Sequence, residues 1–400
     1  MDYREYLDDY KELYNVLIRY IEDENNDNES FHNLITLIEK QEIKKSHEEM
    51  ILFFNLLIQI SNNHHRFPTF FTKIEKIILT FSESIKDNFT NYEIFDIFQS
   101  NKILILFLID NKFIIIDENI VKRMMSRSQK TKSKYHYFFY SKIKDFLKNQ
   151  ELEEIKNEFN DKEQTFLDSN FENKCKIGEN ESYICKIIRN DSYVDFISYV
   201  YHSNFSLHNK IKPSIFETNN FLIKNEPSLI EYAAFYGSIQ IFQYLEFNKV
   251  EMKPILWLYA IHSQNTELIH LLEESSVQPP DNSYKSCFDE SIKCHHNNIA
   301  NYLKDQKLGI DEINYKFIFR SFNYQQIPYE FKCNKSIFYF MCRYNYSELI
   351  KLYIEPKKRI IKEQMKILLL YYYDISLIIY FIMFYTLLYV IKFIDINILL

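Results

Sequence analysis

Apolar residues recur every three or four positions along the first part of the chain, a period that predicts amphipathic helices. The stretches EEMILFFNLLIQI and FTKIEKIILTFSESI show this period between polar, Asn-rich breaks. A longer stretch, YEIFDIFQSNKILILFLIDNKFIIIDENIVKRM, predicts a helical hairpin that turns at Ser100-Asn101. Such hairpins are the units from which α-solenoids are stacked. Residues 1–165 are therefore predicted to form a helical N-terminal region.

Beyond a charged and then Asn-rich stretch, four segments align without gaps when they are matched at their last residues. They are LIEYAAFYGSIQIFQYL, LWLYAIHSQNTELIHLL, CFDESIKCHHNNIANYL and IFYFMCRYNYSELIKLY. Each reads as a first helix, a polar break and a second helix with apolar positions four apart. A weaker copy ends at Val200, and the wide gap between the last two segments leaves room for another around INYKFIFRSFNYQQIPYEF.

The first of these segments, SLIEYAAFYG, holds small residues that are rare elsewhere in the chain. It resembles the ankyrin repeat, with Ile230 at the Leu position, Ala233 and Ala234 at the Ala-Ala positions, and Gly237 at the Gly. Glu231 replaces the His of that motif, and its Thr-Pro is missing. The resemblance implies that both alanines face the neighbouring repeat, where larger side chains would push stacked helices apart.

The break after the first helix favours a residue that tolerates left-handed backbone. Gly237 meets this requirement because it has no Cβ, and Asn345 meets it in the last segment. Gln264 and His295 occupy the same position and suit it poorly. We therefore expect the turns at Gln264 and His295 to differ from the other two.

Over residues 1–355 the chain also resembles a large protist family of trichomonad type, in which a helical N-terminal region of unknown function precedes degenerate ankyrin repeats. The most similar stretch is IKPSIFETNNFLIKNEPSLIEYAAFYGSIQIFQYL. The resemblance implies no catalytic role. It implies a scaffold or adaptor that binds an unidentified protein through turn tips and the exposed ends of the first helices. By position the partner-binding candidates are Phe235, Tyr236, His262, Ser263, Lys293, Cys294, Arg343 and Tyr344. Packing of Phe235 and Tyr236 against an N-terminal helix is the alternative.

Composition supports helices, because 3 Gly and 8 Pro leave little material for the tight turns of a β-protein. A net charge of −7 argues against nucleic acid as a partner, since phosphate contacts require a basic surface. The basic run Val121 to Lys134 is interpreted as a solvated linker or helix face. The charged N-terminus shows no secretory signal, so the bulk of the chain is expected in the cytoplasm, with its six cysteines as free thiols.

Chemistry-bearing motifs are scarce. The three glycines stand apart, which excludes a phosphate-binding or dinucleotide-binding loop, and no G-x-S-x-G elbow is present. CFDESIKCHH, Cys287 to His296, lacks the second close pair that a zinc finger requires. A dyad between Cys294 and His262 stays open. We expect no enzyme, no metal and no cofactor, and an enzyme with an unrecognised site is the less favoured alternative.

The C-terminal stretch from residue 366 is strongly apolar, and Ile375 to Ile391 carries no charge. Extended to Ile394, the run nears the length of a membrane span, and basic residues from Lys357 to Lys366 precede it. A tail anchor that holds the repeats in the cytosol is one interpretation. A truncated or frame-shifted end and a buried core helix are the others.

Together these patterns predict an all-α, elongated α-solenoid. Its parts are a helical N-terminal region at 1–165, a degenerate ankyrin-like array at 180–355, and an apolar C-terminal helix at 366–400. The expected function is that of a protein-binding scaffold, and a tail-anchored membrane adaptor is the alternative.

Overall fold

The computed structural model describes residues 2–23, 28–130, 135–148, 152, 170–308, 315–329 and 335–352. Within these ranges every regular element is an α-helix or a 3₁₀ helix, and the β-type pairing there is an isolated bridge between Lys210 and Ser228. The all-α prediction is confirmed. By contacts the chain forms two compact units, Met1–Lys11 with Pro328–Leu400, and Glu12–Ile327.

The N-terminal region is a series of helices of moderate length, as the hydrophobic period predicts. They are α1 (Tyr3–Glu22), α2 (Asn28–Lys40), α3 (His47–Asn63), α4 (Phe70–Leu79), α5 (Ser82–Asn88), α6 (Asn91–Phe98), α7 (Lys102–Asp110), α8 (Glu118–Lys130), α9 (Tyr135–Phe138) and α10 (Tyr140–Ile143), with 3₁₀ turns at Ile43–Lys45 and Lys144–Phe146.

The following part is built largely from pairs of short helices. They are α11 (Phe171–Ile177), α12 (Tyr183–Arg189), α13 (Tyr193–Ser203), α14 (Asn220–Asn225), α15 (Leu229–Tyr236), α16 (Ile239–Phe247), α17 (Leu256–His262), α18 (Thr266–Glu274), α19 (Lys285–Lys293), α20 (Asn297–Gln306), α21 (Tyr315–Arg320), a 3₁₀ turn at Tyr324–Gln326, and α22 (Lys335–Arg343).

Helix α15 begins with a capping box that the sequence analysis missed. The hydroxyl of Ser228 accepts from the backbone N–H of Glu231, and the Glu231 carboxylate accepts from the backbone N–H of Ser228 at 2.8 Å. These bonds satisfy two of the N–H groups that a helix start leaves unpaired. Glu231, noted above only as a departure from the ankyrin motif, therefore fixes where this helix begins.

The turns between paired helices share one backbone conformation. A residue with φ between 46° and 75° follows each first helix: Asp191, Gly237, Gln264, His295, Phe322 and Asn345. In five of these turns, the residue after the left-handed one donates its backbone N–H to the carbonyl that lies four residues before the left-handed one, at 2.9 to 3.1 Å. The expectation that the turns differ is therefore wrong for His295. The turn at Gln264 shares the left-handed φ, but there the next N–H, that of Asn265, donates to the Ser263 hydroxyl at 3.1 Å.

Small residues recur where the first helices pack. Helix α15 contacts α12 and α17, α17 contacts α19, and α19 contacts α21. Ala233, Ala260 and Ser291 lie four residues before their left-handed residues and are fully buried. Short side chains at this position allow neighbouring helices to approach closely. Ala234 is buried as well, but Ile261 and Ile292 take its place in the next two first helices.

The N-terminal region and the helix pairs belong to the same unit. Helix α3 is buried on nearly all sides and contacts α14, while α7 contacts α11. The predicted boundary between residues 165 and 180 therefore separates segments that pack together within Glu12–Ile327.

The smaller unit ties the chain start to its later part. The Tyr329 hydroxyl donates to Asp8 Oδ1 at 2.6 Å, and the Tyr3 hydroxyl donates to the Pro328 carbonyl at 3.3 Å. After α22 the chain turns at Asn345 and is helical again over 347–352.

The predicted apolar tail, 366–400, lies outside the described residues. In the part of the chain that the structure describes, no helix combines the length and apolar character needed to cross a bilayer.

Candidate functional site

Four of the predicted partner-binding residues are buried. Phe235 is 7% exposed, Ser263 6%, His262 1% and Cys294 0%. The Phe235 ring stacks on the His262 ring with centroids 4.9 Å apart, and the Ser263 hydroxyl donates to the Ala260 carbonyl. The prediction that these side chains face a partner is therefore wrong for the folded chain.

The other candidates are distributed over both units. Tyr236 is half-buried, and its ring centroid lies 5.9 Å from the Arg189 guanidinium. Lys293 is half-buried and holds Glu290 at 2.6 Å. Arg343 is exposed and donates to the Tyr339 hydroxyl, while Tyr344 is half-buried. A role for Arg343 and Tyr344 in binding stays a prediction.

The structure brings Cys294 and His262 together, but not as a catalytic dyad. Cys294 Sγ lies 3.4 Å from His262 Nδ1 and 3.7 Å from Nε2. A linear hydrogen bond to one ring nitrogen would hold the other nitrogen roughly 5 Å away. The nearly equal distances place the sulfur against the ring instead of on a nitrogen lone pair. Both side chains are fully buried, and burial raises the pKa of the Cys294 thiol well above its ordinary value.

His262, Glu290 and Cys294 are also a group with metal-ligand chemistry, since their ligand atoms lie within 4.8 Å of one another. His262 Nε2 is 2.7 Å from Glu290 Oε1, and the Lys293 ammonium occupies the same oxygen at 2.6 Å. A cation at this carboxylate would be repelled by Lys293. Although burial alone would raise its pKa, Lys293 and His262 hold the pKa of Glu290 at about 2. These contacts describe a buried ion pair with a hydrogen-bonded histidine.

A cluster that the sequence analysis did not find surrounds this ion pair. We call it the histidine junction: His64, His65, His262, His295 and His296. It lies where α1 and the end of α3 meet the turns after α17 and α19. The Nδ1–H group of His64 donates to the Cys294 carbonyl at 2.8 Å, and that of His296 donates to the Ile261 carbonyl at 2.7 Å. The only local signal was a pair of His-His dipeptides, His64-His65 and His295-His296, which lie far apart in the chain.

The turns at Gln264 and His295 are held by α1. The Gln264 amide donates to Glu22 Oε1 at 2.6 Å, and His295 Nδ1 lies 2.9 Å from the Tyr14 hydroxyl. Left-handed backbone is strained in residues other than Gly. These two hydrogen bonds offset that strain, which explains why neither turn needs a glycine.

Burial governs the protonation of the junction. It lowers the pKa of His65 to about 4 and lowers the pKa values of His295 and His296 well below the ordinary range. Electrostatic interaction with His64 lowers the pKa values of all three as well. The pKa of His262 is also lowered by burial, against the opposing effect of Glu290. The junction is therefore built to hold His65, His295 and His296 uncharged.

An exposed surface feature lies on the helix pair α12 and α13. Tyr183, Val194 and Tyr201 are 58%, 77% and 81% exposed. Val194 and Tyr201 lie seven residues apart and so share one face of α13. A shallow groove runs beside them, lined by Tyr183, Asp195, Ser198, Tyr199, His202 and Ser203. We call this surface the α12–α13 face.

No protein-family model, no curated protein and no solved structure matches the chain.

Proposed function

We propose that this protein is a non-catalytic scaffold or adaptor, expected in the cytoplasm, that binds another protein through a degenerate ankyrin-like α-solenoid. The repeated turn conformation and the successive packing of α12, α15, α17, α19 and α21 support this interpretation. In a stacked array each repeat buries its apolar surface on its neighbours, so a binding surface extends along several units.

The exposure of the α12–α13 face is the observation that carries the proposal. End repeats of a stacked array usually present polar outer surfaces, because nothing covers them. This pair instead exposes Tyr183, Val194 and Tyr201, each by more than half. Exposed apolar patches rimmed by polar groups are typical of protein-binding sites, and tyrosine is enriched at their centres. We therefore assign partner binding to this face, in place of the buried ends of the first helices.

Capture experiments with the full-length chain test this assignment. A Val194→Glu/Tyr201→Glu variant places two charges on the face and should lose its bound partner. Ile115→Glu is the matched control, because Ile115 is 68% exposed on a loop of the N-terminal region. Loss of capture with the double variant but not with the control supports the proposal. Equal capture by all three proteins contradicts it.

A tail-anchored membrane adaptor is the second candidate, favoured by the uncharged run Ile375 to Ile391 and the basic residues before it. In this form the repeats face the cytosol. Carbonate washing of membranes from cells that express the full-length chain separates the two candidates. Retention in the membrane pellet supports the anchor, and full release rejects it.

An enzyme with an unrecognised site is the least supported candidate. A thiol nucleophile needs a base in line with it and access for its substrate. Cys294 has neither, since it is buried against the face of the His262 ring.

A further inference from the structure

The histidine junction concentrates five of the 11 histidines of the chain at the contact between α1, α3 and two turns. Four of them are buried to 2% exposure or less: His64, His262, His295 and His296. Histidine is the side chain whose ordinary pKa lies closest to neutrality. A buried group of histidines at one contact therefore makes that contact responsive to pH.

Protonation would disrupt the bonds of His296. Its Nδ1–H group donates to the Ile261 carbonyl, so the proton of the neutral ring is on Nδ1. Its Nε2 atom is buried and makes no hydrogen bond with a protein group. A second proton would sit on Nε2 without an acceptor, in a ring whose centroid lies 4.8 Å from the centroid of the His64 ring. Burying an unpaired charged group is among the costliest changes in a protein interior.

Protonation would also leave the His295 ring with an unpaired N–H group. His295 Nδ1 lies 2.9 Å from the Tyr14 hydroxyl, which also accepts from the Asn297 amide at 3.0 Å. The other ring nitrogen, Nε2, is buried and makes no hydrogen bond with a protein group. A charged imidazole carries an N–H on both nitrogens, so in the charged ring the Nε2–H group would be buried without an acceptor.

The charges that surround the junction do not compensate. On α1, Glu22 faces His64, with 3.4 Å between Oε1 and Nε2, and on α19 Glu290 faces His262. Lys293 adds a positive charge beside Glu290. The charged groups that act on His295 and His296 are other histidines, all of them positive when protonated.

We propose that the histidine junction is an acid-sensitive joint, in which protonation of His295 and His296 releases α1 and the end of α3 from the turns after α17 and α19. The joint is closed when both rings are neutral. Acid opens the joint because the released rings, in contact with water, bind protons at a pH at which the buried rings stay neutral.

The size of the effect follows from the difference between the pKa of each ring in the open joint and its pKa in the closed joint. A solvated histidine has a pKa of about 6.5, so at pH 5.5 each released ring favours the open joint by about tenfold. Two rings give about 100-fold. Since the pKa values of the buried rings lie well below 6.5, protonation adds almost nothing to opening above about pH 7 and favours the open joint progressively as the pH falls below 6.5.

Hydrogen exchange of the full-length chain at pH 7.5 and 5.5, corrected for the intrinsic exchange rate, measures this opening. Protection of peptides from the second half of α1 and from the turns at Gln264 and His295 should fall by about 100-fold. Peptides from α13, which packs on α12 and α16, should keep their protection. Unchanged protection at the junction, or an equal fall in α13, overturns the proposal.

The chain itself suggests a variant that removes the two titrating rings. Asn345 is the left-handed residue of its own turn, the position that His295 occupies. Asn265 and Asn323 directly follow the left-handed residues of two other turns, the position that His296 occupies. His295→Asn/His296→Asn therefore suits the backbone and should reduce the acid effect to about tenfold or less. His208→Asn, at an exposed histidine, is the control and should keep the 100-fold effect. A double variant that keeps the full effect contradicts the proposal.

Direct titration of the imidazole rings by NMR tests the idea without a variant. In the wild-type chain His295 and His296 should show no titration in the closed form down to pH 5.5. A midpoint near 6.5 for both rings in the closed form removes the driving force and overturns the proposal.

Discussion

The two left-handed glycines are predicted to differ in how they respond to the same added methyl group. Gly178 and Gly237 have φ values of 69° and 75°, so alanine at either position has a backbone cost of about 1 to 2 kcal/mol. At Gly237 a new Cβ would lie 3.6 Å from Ser263 Cβ and Asn265 Nδ2, which is ordinary contact. Gly237→Ala should therefore reduce the free energy of unfolding by that backbone cost alone.

At Gly178 the same Cβ would lie 2.3 Å from Ile103 Cδ1 and 3.0 Å from Thr218 Oγ1. Neither neighbour moves easily, because Ile103 is buried in α7 and the Thr218 hydroxyl donates to the Gly178 carbonyl. Overpacking adds about 1 to 3 kcal/mol. Gly178→Ala should therefore cost about 2 to 5 kcal/mol in total.

Urea unfolding of the full-length chain measures these differences. Gly237→Asn should cost less than Gly237→Ala, because asparagine tolerates left-handed backbone, as Asn345 does in another turn. The expected order of destabilisation is Gly237→Asn, then Gly237→Ala, then Gly178→Ala. An equal cost for the two alanine variants would refute the packing argument at Gly178.

Three further predictions concern the start of α16, a buried ion pair and two thiols. Asp191 accepts from the N–H groups of Gln240 and Ile241, each at 3.0 Å, so Asp191→Ala should cost about 1 kcal/mol in urea unfolding and Asp191→Asn less. The folded pKa of Glu290, about 2, lies below the unfolded value of about 4.3. Glu290→Ala should therefore lose about 3 kcal/mol at pH 7, a difference from wild type that shrinks as pH falls from 4.5 towards 2; a constant difference would contradict it. Cys342 is exposed and should react with iodoacetamide in the native protein, whereas buried Cys294, whose pKa is raised, should stay unmodified by mass spectrometry; equal labelling would contradict this.

Local features of the fold could be predicted from the sequence because their causes are local. The three-to-four period of apolar residues indicates helices, and Gly237 ends α15 in the left-handed conformation that its missing Cβ allows. The same reasoning did not predict the left-handed backbone at Gln264 and His295. Their stability depends on hydrogen bonds to Glu22 and Tyr14, which lie 242 and 281 residues away in the chain.

The burial of the predicted binding residues has the same kind of cause. Periodicity places Phe235 and His262 at the ends of first helices, but it does not show what covers those ends. In the structure the Phe221 ring, from the short helix α14, covers both residues. Its centroid lies 4.3 Å from that of the His262 ring and 6.1 Å from that of the Phe235 ring. No repeat motif contains α14, so sequence alignment of the repeats could not include its contribution.

Site-specific photocrosslinking is the most direct test of the proposed binding role. A photoreactive phenylalanine analogue replaces Tyr201 on the α12–α13 face, and the same analogue replaces Ile115 in a control, both in the full-length chain. We predict a discrete crosslinked protein from position 201 and none from position 115. The same products from both positions, or no product from position 201, would contradict the assignment of this face to partner binding.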